Sequence, residues 1–206
     1  MRTKRYSNEE IEEIYNKFAK WYDFGMLFTK LILGNLRKKL IGRVEGKVLE
    51  VSIGSGVNLP YYGKNCEIVG IDLSKEMLKR AKKKALKYGI KVKLSWGDAE
   101  KLNFNDGEFD YVVDTLGLCT FPSPIKALKE MKRVCKKNGR ILLLEHGIGQ
   151  GEIINKFLNW REDRHYKKLG CHLTRNINQI VKDSGLKIVE ERRKLFGTLY
   201  YIIAKK

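Results

Sequence analysis

Histidine and proline are scarce in this chain, with three of each among 206 residues. The four cysteines, Cys66, Cys119, Cys135 and Cys171, include no Cys-x-x-Cys pair, and no histidine stands at a zinc-motif spacing from them. That excludes a disulfide-stapled secreted scaffold and the common sequence-local zinc motifs, and it reads as free thiols in a reducing, cytoplasmic setting. No apolar run reaches membrane-spanning length, and Met-Arg-Thr-Lys-Arg at the N-terminus lacks the apolar core of a signal peptide. Acid is also short: 24 Asp and Glu face 42 Lys and Arg, a formal net charge of +18. Such an excess favours anionic partners, whether nucleic acid, acidic lipid headgroups or anionic metabolites, and also suits a heat-adapted surface. A hydrophobic content of 43% is enough to exclude a disordered chain.

What is present alternates. Ser7-Asn-Glu-Glu10 is a capping box, followed by Ile11, Ile14, Phe18 and Trp21/Tyr22 at helical spacing. A second helix is expected over Met26 to Ile41. Val/Ile/Leu-rich runs predict strands at 47–53, 66–71, 90–96, 109–114 and 140–146. Ser74 should cap a basic helix through Tyr88, closed by Gly89. Ser123-Pro124 should open another, running to Lys137 before a turn at Asn138-Gly139. Thr174 should cap the last helix. Two runs, Leu186–Leu195 and Thr198–Ala204, are joined so tightly that they must be antiparallel. The expected fold is α/β and Rossmann-like: a mostly parallel seven-stranded sheet with a C-terminal antiparallel hairpin and N-terminal helices. The chain reads as a single domain, 1–206. Residues 1–45 would form a helical lid over a 46–206 core, with an acceptor-side insertion at 147–173.

Lys47 to Gly56 is the most informative stretch. An apolar strand carrying Glu50 runs into Gly54-Ser-Gly56, and a second strand, Ile68-Val-Gly-Ile-Asp72, again ends in an acid. This is the nucleoside-binding edge of a parallel sheet. The third glycine of a dinucleotide fingerprint is missing and no Walker lysine follows, so the loop suits a ligand without phosphates. Two carboxylates match hydroxyl, amino and sulfonium groups, all of which S-adenosylmethionine carries. The competing reading is a plain strand-to-helix turn.

Val48-Leu-Glu-Val-Ser-Ile-Gly-Ser-Gly56, Gly70-Ile-Asp-Leu-Ser74, Gly97-Asp-Ala-Glu100, Phe109-Asp-Tyr-Val-Val-Asp114, Arg133 to Gly139 and Leu144-Glu-His146 together resemble a class I S-adenosylmethionine-dependent methyltransferase. The branch most similar holds the quinone-biosynthesis (UbiE-like), phospholipid N- and thiol methyltransferases. The resemblance implies S-adenosylmethionine as cofactor and S-adenosylhomocysteine as product. It places Glu50, Gly54 and Gly56 at the methionine end and Asp72 on the ribose hydroxyls. Leu73 and Met77 fall on the adenine face, Asp98 and Ala99 on the adenine edge, Thr115 and Leu116 by the methyl-donor channel, and Tyr22 in a lid. Duller roles compete: helix capping for Asp72, a loop carboxylate for Asp98, core packing for Met77. The chain departs from the family's Gly-x-Gly-x-Gly at Ser52, which puts the backbone geometry there in question. It also carries Lys-Lys-Asn-Gly139 in place of Lys-Pro-Gly-Gly.

The acceptor side is expected after the fifth strand. All three histidines lie there. His146 is the first candidate for acceptor contact or proton acceptance, His172 the second and His165 the third. A Gly-Cys-x-Leu-Thr-Arg segment similar to the thiol and lipid branch adds Arg175, and with Arg161 and Arg164 it could hold an anionic headgroup. The expected pocket is bounded by Tyr22, Leu116, His146 and 147–173. Met26–Arg43 is apolar and basic enough to touch an anionic membrane. The resulting expectation is methylation of a small-molecule or lipid-like acceptor, with no metal. Its rivals are an RNA methyltransferase, less favoured for lack of an RNA-binding module, and a non-catalytic binding module on the same fold. Oligomeric state is left open.

Overall fold

The computed structural model describes the backbone of residues 6–206, and the side chains of 6–20 and 33–206. The sheet has seven strands in the order β3-β2-β1-β4-β5-β7-β6, where β1 is Gly46–Val51, β2 Cys66–Asp72, β3 Val92–Trp96, β4 Phe109–Thr115, β5 Cys135–His146, β6 Lys187–Lys194 and β7 Leu199–Lys205. β1 to β5 pair in parallel, and β7 runs antiparallel to both β5 and β6. The order reverses direction between β1 and β4. In a parallel sheet that reversal opens a crevice beyond the strand ends.

Alternate residues of the central strands feed two cores. Leu49, Val112, Ile141, Leu143 and Tyr200 face the helices α3 (Pro124–Val134) and α5 (Ile177–Asp183). Val48, Val113, Leu142, Leu144 and Tyr201 face the end of α1 (Asn8–Ile41), where Leu33, Leu40 and Ile41 are buried. Covered on both faces, these strands read as continuous apolar runs. The helix α2 (Lys75–Tyr88) follows β2, and α4 (Glu152–Leu169) follows β5.

Several expected boundaries move. The two N-terminal helices are one, because Gly25 costs a helix interior only about 1 kcal/mol. The capping box forms as expected: Glu10 N–H donates to Ser7 Oγ (3.3 Å) and Ser7 N–H to Glu10 Oε2 (2.9 Å). The third helix stops at Val134 because Cys135 turns extended and pairs with Phe109. Pairing resumes at Tyr111 with Arg140, so residues 136–139 bulge out and hold the Asn138-Gly139 turn inside β5 rather than before it. Ser123 sits at its N-cap position without a side-chain bond. Asn176, not Thr174, caps α5, its Oδ1 accepting from Gln179 N–H. The 147–173 stretch is largely the helix α4. Among the described residues no helix is long and apolar enough to cross a membrane.

Candidate active site

The strand β1 ends in a loop that turns through two left-handed residues, Ser52 (φ 51°) and Gly54 (φ 56°). Glycine adopts that region freely, whereas serine does so at a cost of about 1–2 kcal/mol. The departure at Ser52 therefore keeps the glycine-like backbone and carries strain. The loop is latched to the next strand end by Asp72, whose two oxygens accept from Gly54 N–H and Ser74 N–H, each at 2.8 Å. Burial pushes the Asp72 carboxyl up to about 6, against the pull of those two donors. Asp72 thus has a capping role, and each oxygen keeps a lone pair for a further donor.

Above this latch lies a cleft at the ends of β1, β2 and β4. Gly54, Asp72, Leu73, Met77, Ala99, Thr115 and Leu116 border it, seven of the positions assigned to the cofactor from the sequence. Its roof is α1, which contributes Ile11, Glu12 and Tyr15. Two side-chain bonds seat that helix: Asn8 Nδ2 donates to Asp98 Oδ2 (2.8 Å), and Ser74 Oγ donates to Asn16 Oδ1 (2.6 Å). A buried carboxylate, glycine-type backbone and an apolar wall fit a ribose diol and a flat adenine without offering anything to phosphate.

The methyltransferase-domain family profile matches residues 49–143. Over 93% of its length the chain is 31% identical to phosphatidylethanolamine N-methyltransferase of Cereibacter sphaeroides, covering 96% of that protein. It is 35% identical, again over 93% of its length, to the mitochondrial methyltransferase OMS1 of Saccharomyces cerevisiae, of which it spans 45%. Among solved structures, the putative methyltransferase held by a Trm112 activator in Haloferax volcanii superposes with a TM-score of 0.75. It covers 95% of this chain and 96% of its own at 16% identity, a likeness of fold. The chain belongs to the class I S-adenosylmethionine-dependent methyltransferases. It is an enzyme of that class and S-adenosylmethionine is its cofactor.

Three assigned residues do not border the methyltransferase's cleft. Gly56 (φ 74°) instead makes room for a helix: a side chain there would meet Leu59 Cδ1 at 2.7 Å and the Ala81 backbone of α2 at 3.1 Å. Asp98 is taken up by Asn8 and by Glu100 N–H (2.8 Å). Glu50 is fully buried in a network that sequence reading missed. Asn58 Nδ2 donates to Glu50 Oε1 (2.6 Å) and to Thr115 Oγ1 (3.0 Å), while Arg37 Nη1 donates to Asn58 Oδ1 (2.5 Å) and Thr115 Oγ1 (2.9 Å). Burial raises the Glu50 carboxyl to about 7. The network reaches the cleft wall through Thr115. Its signal in the sequence was Arg37, which occupies the apolar stripe between Leu33 and Ile41. Tyr22 lies on α1, and its side chain is outside the described residues.

Beyond Thr115 the wall is a tight loop. Leu116 is left-handed (φ 61°), and its N–H donates to Leu144 O at 2.9 Å. Two fully buried acids on adjacent strands, Asp114 and Glu145, hold the loop from below. Asp114 Oδ2 accepts from Leu118 N–H (3.1 Å) and Glu145 Oε1 from Gly117 N–H (3.2 Å). Burial and mutual repulsion raise Asp114 well above the carboxylate range, and burial brings Glu145 to about 8. Each acid therefore favours its protonated form more than an exposed carboxyl does. From outside, the Arg175 guanidinium donates to Leu118 O and to Phe121 O, the latter at 2.8 Å.

None of the three histidines borders the cleft. Among the described residues of the expected acceptor wall, only Leu116 does. His146, at the end of β5, points its Nε2 at Cys171 Sγ (3.1 Å). His172 Nδ1 is 2.6 Å from Glu162 Oε1 and its ring stacks on Tyr166 at 4.1 Å. With Arg175 it borders a separate open groove beside Pro122 and Pro124. His165 is partly buried on α4, where burial lowers its pKa. The stretch expected to wall the acceptor is turned away from the cleft because α4 packs by Tyr166 and leaves its other face to solvent.

Proposed function

We propose that this methyltransferase acts on a lipid-like small-molecule acceptor presented at an anionic membrane surface. One observation carries the reading. The helix α4 holds Ile153, Phe157 and Trp160 on one outward face, with Ile153 87% and Trp160 73% exposed. Lys156, Arg161, Arg164, Lys167 and Lys168 flank them. The β6–β7 hairpin tip adds Leu195 and Phe196, the latter 80% exposed, and Gln150 N–H ties the base of α4 to Phe196 O at 2.8 Å. Apolar side chains ringed by cations on a helix surface suit the headgroup boundary of a bilayer. The net charge of +18 adds long-range attraction. The membrane role expected of Met26–Arg43 is closed to its latter half, where Leu33, Leu40 and Ile41 pack on the sheet.

When bound, S-adenosylmethionine supplies an electrophilic methyl group on a sulfonium. The chain's part is to bind, orient and exclude water. Asp72 would accept from the ribose hydroxyls, Leu73 and Met77 would cover the adenine, and Thr115 and Leu116 would border the reacting end. Orientation of this kind contributes on the order of 7–11 kcal/mol to barrier lowering. The relative that methylates phosphatidylethanolamine by name supports a lipid amine as acceptor, and quinone methyltransferases among the other relatives support an aromatic one.

The test is methyl transfer from radiolabelled cofactor in the presence of phosphatidylglycerol vesicles carrying phosphatidylethanolamine, a demethylquinol or a long-chain thiol. Label is expected in the organic extract, and W160A/F196A should lower vesicle binding at least tenfold while leaving cofactor affinity unchanged. Label recovered in RNA, or vesicle binding indifferent to W160A/F196A, would remove the reading.

A further inference from the structure

Three separated segments bring soft donor atoms together behind the cleft wall. Cys119 comes from the loop after β4, His146 from the end of β5, and Cys171 from the residue after Gly170, which closes α4 in the left-handed conformation. Cys119 Sγ, a His146 ring nitrogen and Cys171 Sγ all lie within 4.8 Å of one another, and His146 Nε2 stands 3.1 Å from Cys171 Sγ. Both thiols are buried, and neither is in a disulfide. We propose that Cys119, His146 and Cys171 form a binding site for a thiophilic divalent cation of the zinc class.

The geometry is close to what such an ion needs. Zinc holds sulfur at about 2.3 Å and imidazole nitrogen at about 2.0–2.1 Å, so in a tetrahedral set of this kind sulfur and nitrogen stand about 3.6 Å apart and two sulfurs about 3.8 Å. His146 Nε2 and Cys171 Sγ, 3.1 Å apart, would open slightly to reach that spacing, and the other separations lie within 4.8 Å. The backbone is already braced: Cys119 Sγ donates to Leu116 O (3.3 Å), and His172 N–H donates to Cys119 O (2.9 Å), joining the two cysteine segments. Soft ligands select zinc or cobalt over magnesium or calcium, whose hard-oxygen sets these residues cannot offer.

Charge also balances. Each thiol gives its proton to solvent on coordination, two protons leave per cation, and two thiolates neutralise the divalent charge with no electron transferred. The titratable groups around the cluster are Arg175, Glu162, His165 and the largely protonated Glu145. Among the described residues no fourth histidine, cysteine or acid joins the group, so the fourth donor is left to solvent or an exogenous heteroatom. An ion here would tie the 116–121 loop, β5 and the end of α4 at one point.

The experiment is a cobalt(II) titration of the reduced, chelator-stripped full chain under anaerobic conditions. A sulfur-to-cobalt charge-transfer band with tetrahedral d–d bands should saturate at one equivalent and be displaced by zinc. About two protons should be released per cation in weak buffer at neutral pH. C119S and C171S should each lose most of the band, and H146A should weaken cobalt binding at least tenfold. Retained cofactor binding, measured by calorimetry, shows that each variant folds. The wild-type titration depends on no variant. Absence of the band at saturating cobalt overturns the assignment, as does its persistence in C119S/C171S, which would hand it to Cys66 or Cys135.

Discussion

The two sides of the sheet's upper rim solve the problem of buried polar groups in different ways. Around β1 and β2 the key acid, Asp72, is satisfied by backbone N–H donors from the loops it joins. Its oxygens face a cleft and keep capacity for more. Around β4 and β5 titratable side chains also face one another, Asp114 against Glu145, Glu162 against His172 and Cys171 against His146, while each acid takes a backbone N–H from its loop. The first side is organised to receive a ligand's hydrogens. The second is a set of mutual pairs whose protons hold a loop in shape. The difference shows why a cluster of titratable residues need not border the cavity it serves, and why three histidines in one region did not make an acceptor wall.

The sharpest way to break this contrast is D72N. Removing the charge and one of its two acceptor oxygens should weaken S-adenosylmethionine binding by about 100-fold, the scale of charge-assisted hydrogen bonds, with calorimetry as the readout. Because the Asp72 carboxyl lies at about 6, wild-type affinity should be flat above about pH 7 and fall as pH drops through 6. Equal affinity in D72N would mean the latch is only structural.

The second side is tested through Glu145. Glu145 titrates at about 8 when folded against an ordinary 4.5, so the native state binds more protons than the unfolded one between those values. Its contribution to stability is complete below about pH 4.5 and is lost as pH rises to about 8. Thermal melts across pH 5–8 should therefore show a decline that E145Q flattens. At pH 8 that variant should gain on the order of 1 kcal/mol, roughly 2–4 °C at this chain length. A parallel decline in the variant would break the pairing. The smallest effect is expected at Ser52, whose left-handed backbone predicts that S52G melts slightly higher, by about 1 kcal/mol or less, with cofactor affinity held.

What was legible in the chain was what is local. Gly54, Asp72 and Ala99 stand at strand ends, and their place on the rim follows from the strand that precedes each. Gly56 shows the limit of a motif: a missing side chain can face a ligand or a helix, and here it faces Ala81. Glu50 and Arg37 are joined through Asn58 only because α1 packs on the sheet, a tertiary fact that helical spacing alone does not contain. The same holds for Cys119, His146 and Cys171, which no local spacing relates. The start of β5 was hidden because Asn138-Gly139 turns the chain whether it stands before a strand or inside a bulge.

The first turn of α1 has one more anchor. Tyr6 N–H donates to Tyr166 Oη at 2.7 Å, the two rings stack at 4.9 Å, and Tyr6 Oη donates to Lys167 O at 3.1 Å. The helix that covers the adenosyl cleft is thereby moored to the end of α4, whose opposite face carries Trp160. A surface bound to that outer face would therefore bear, through Tyr166, on the roof of the cleft as well.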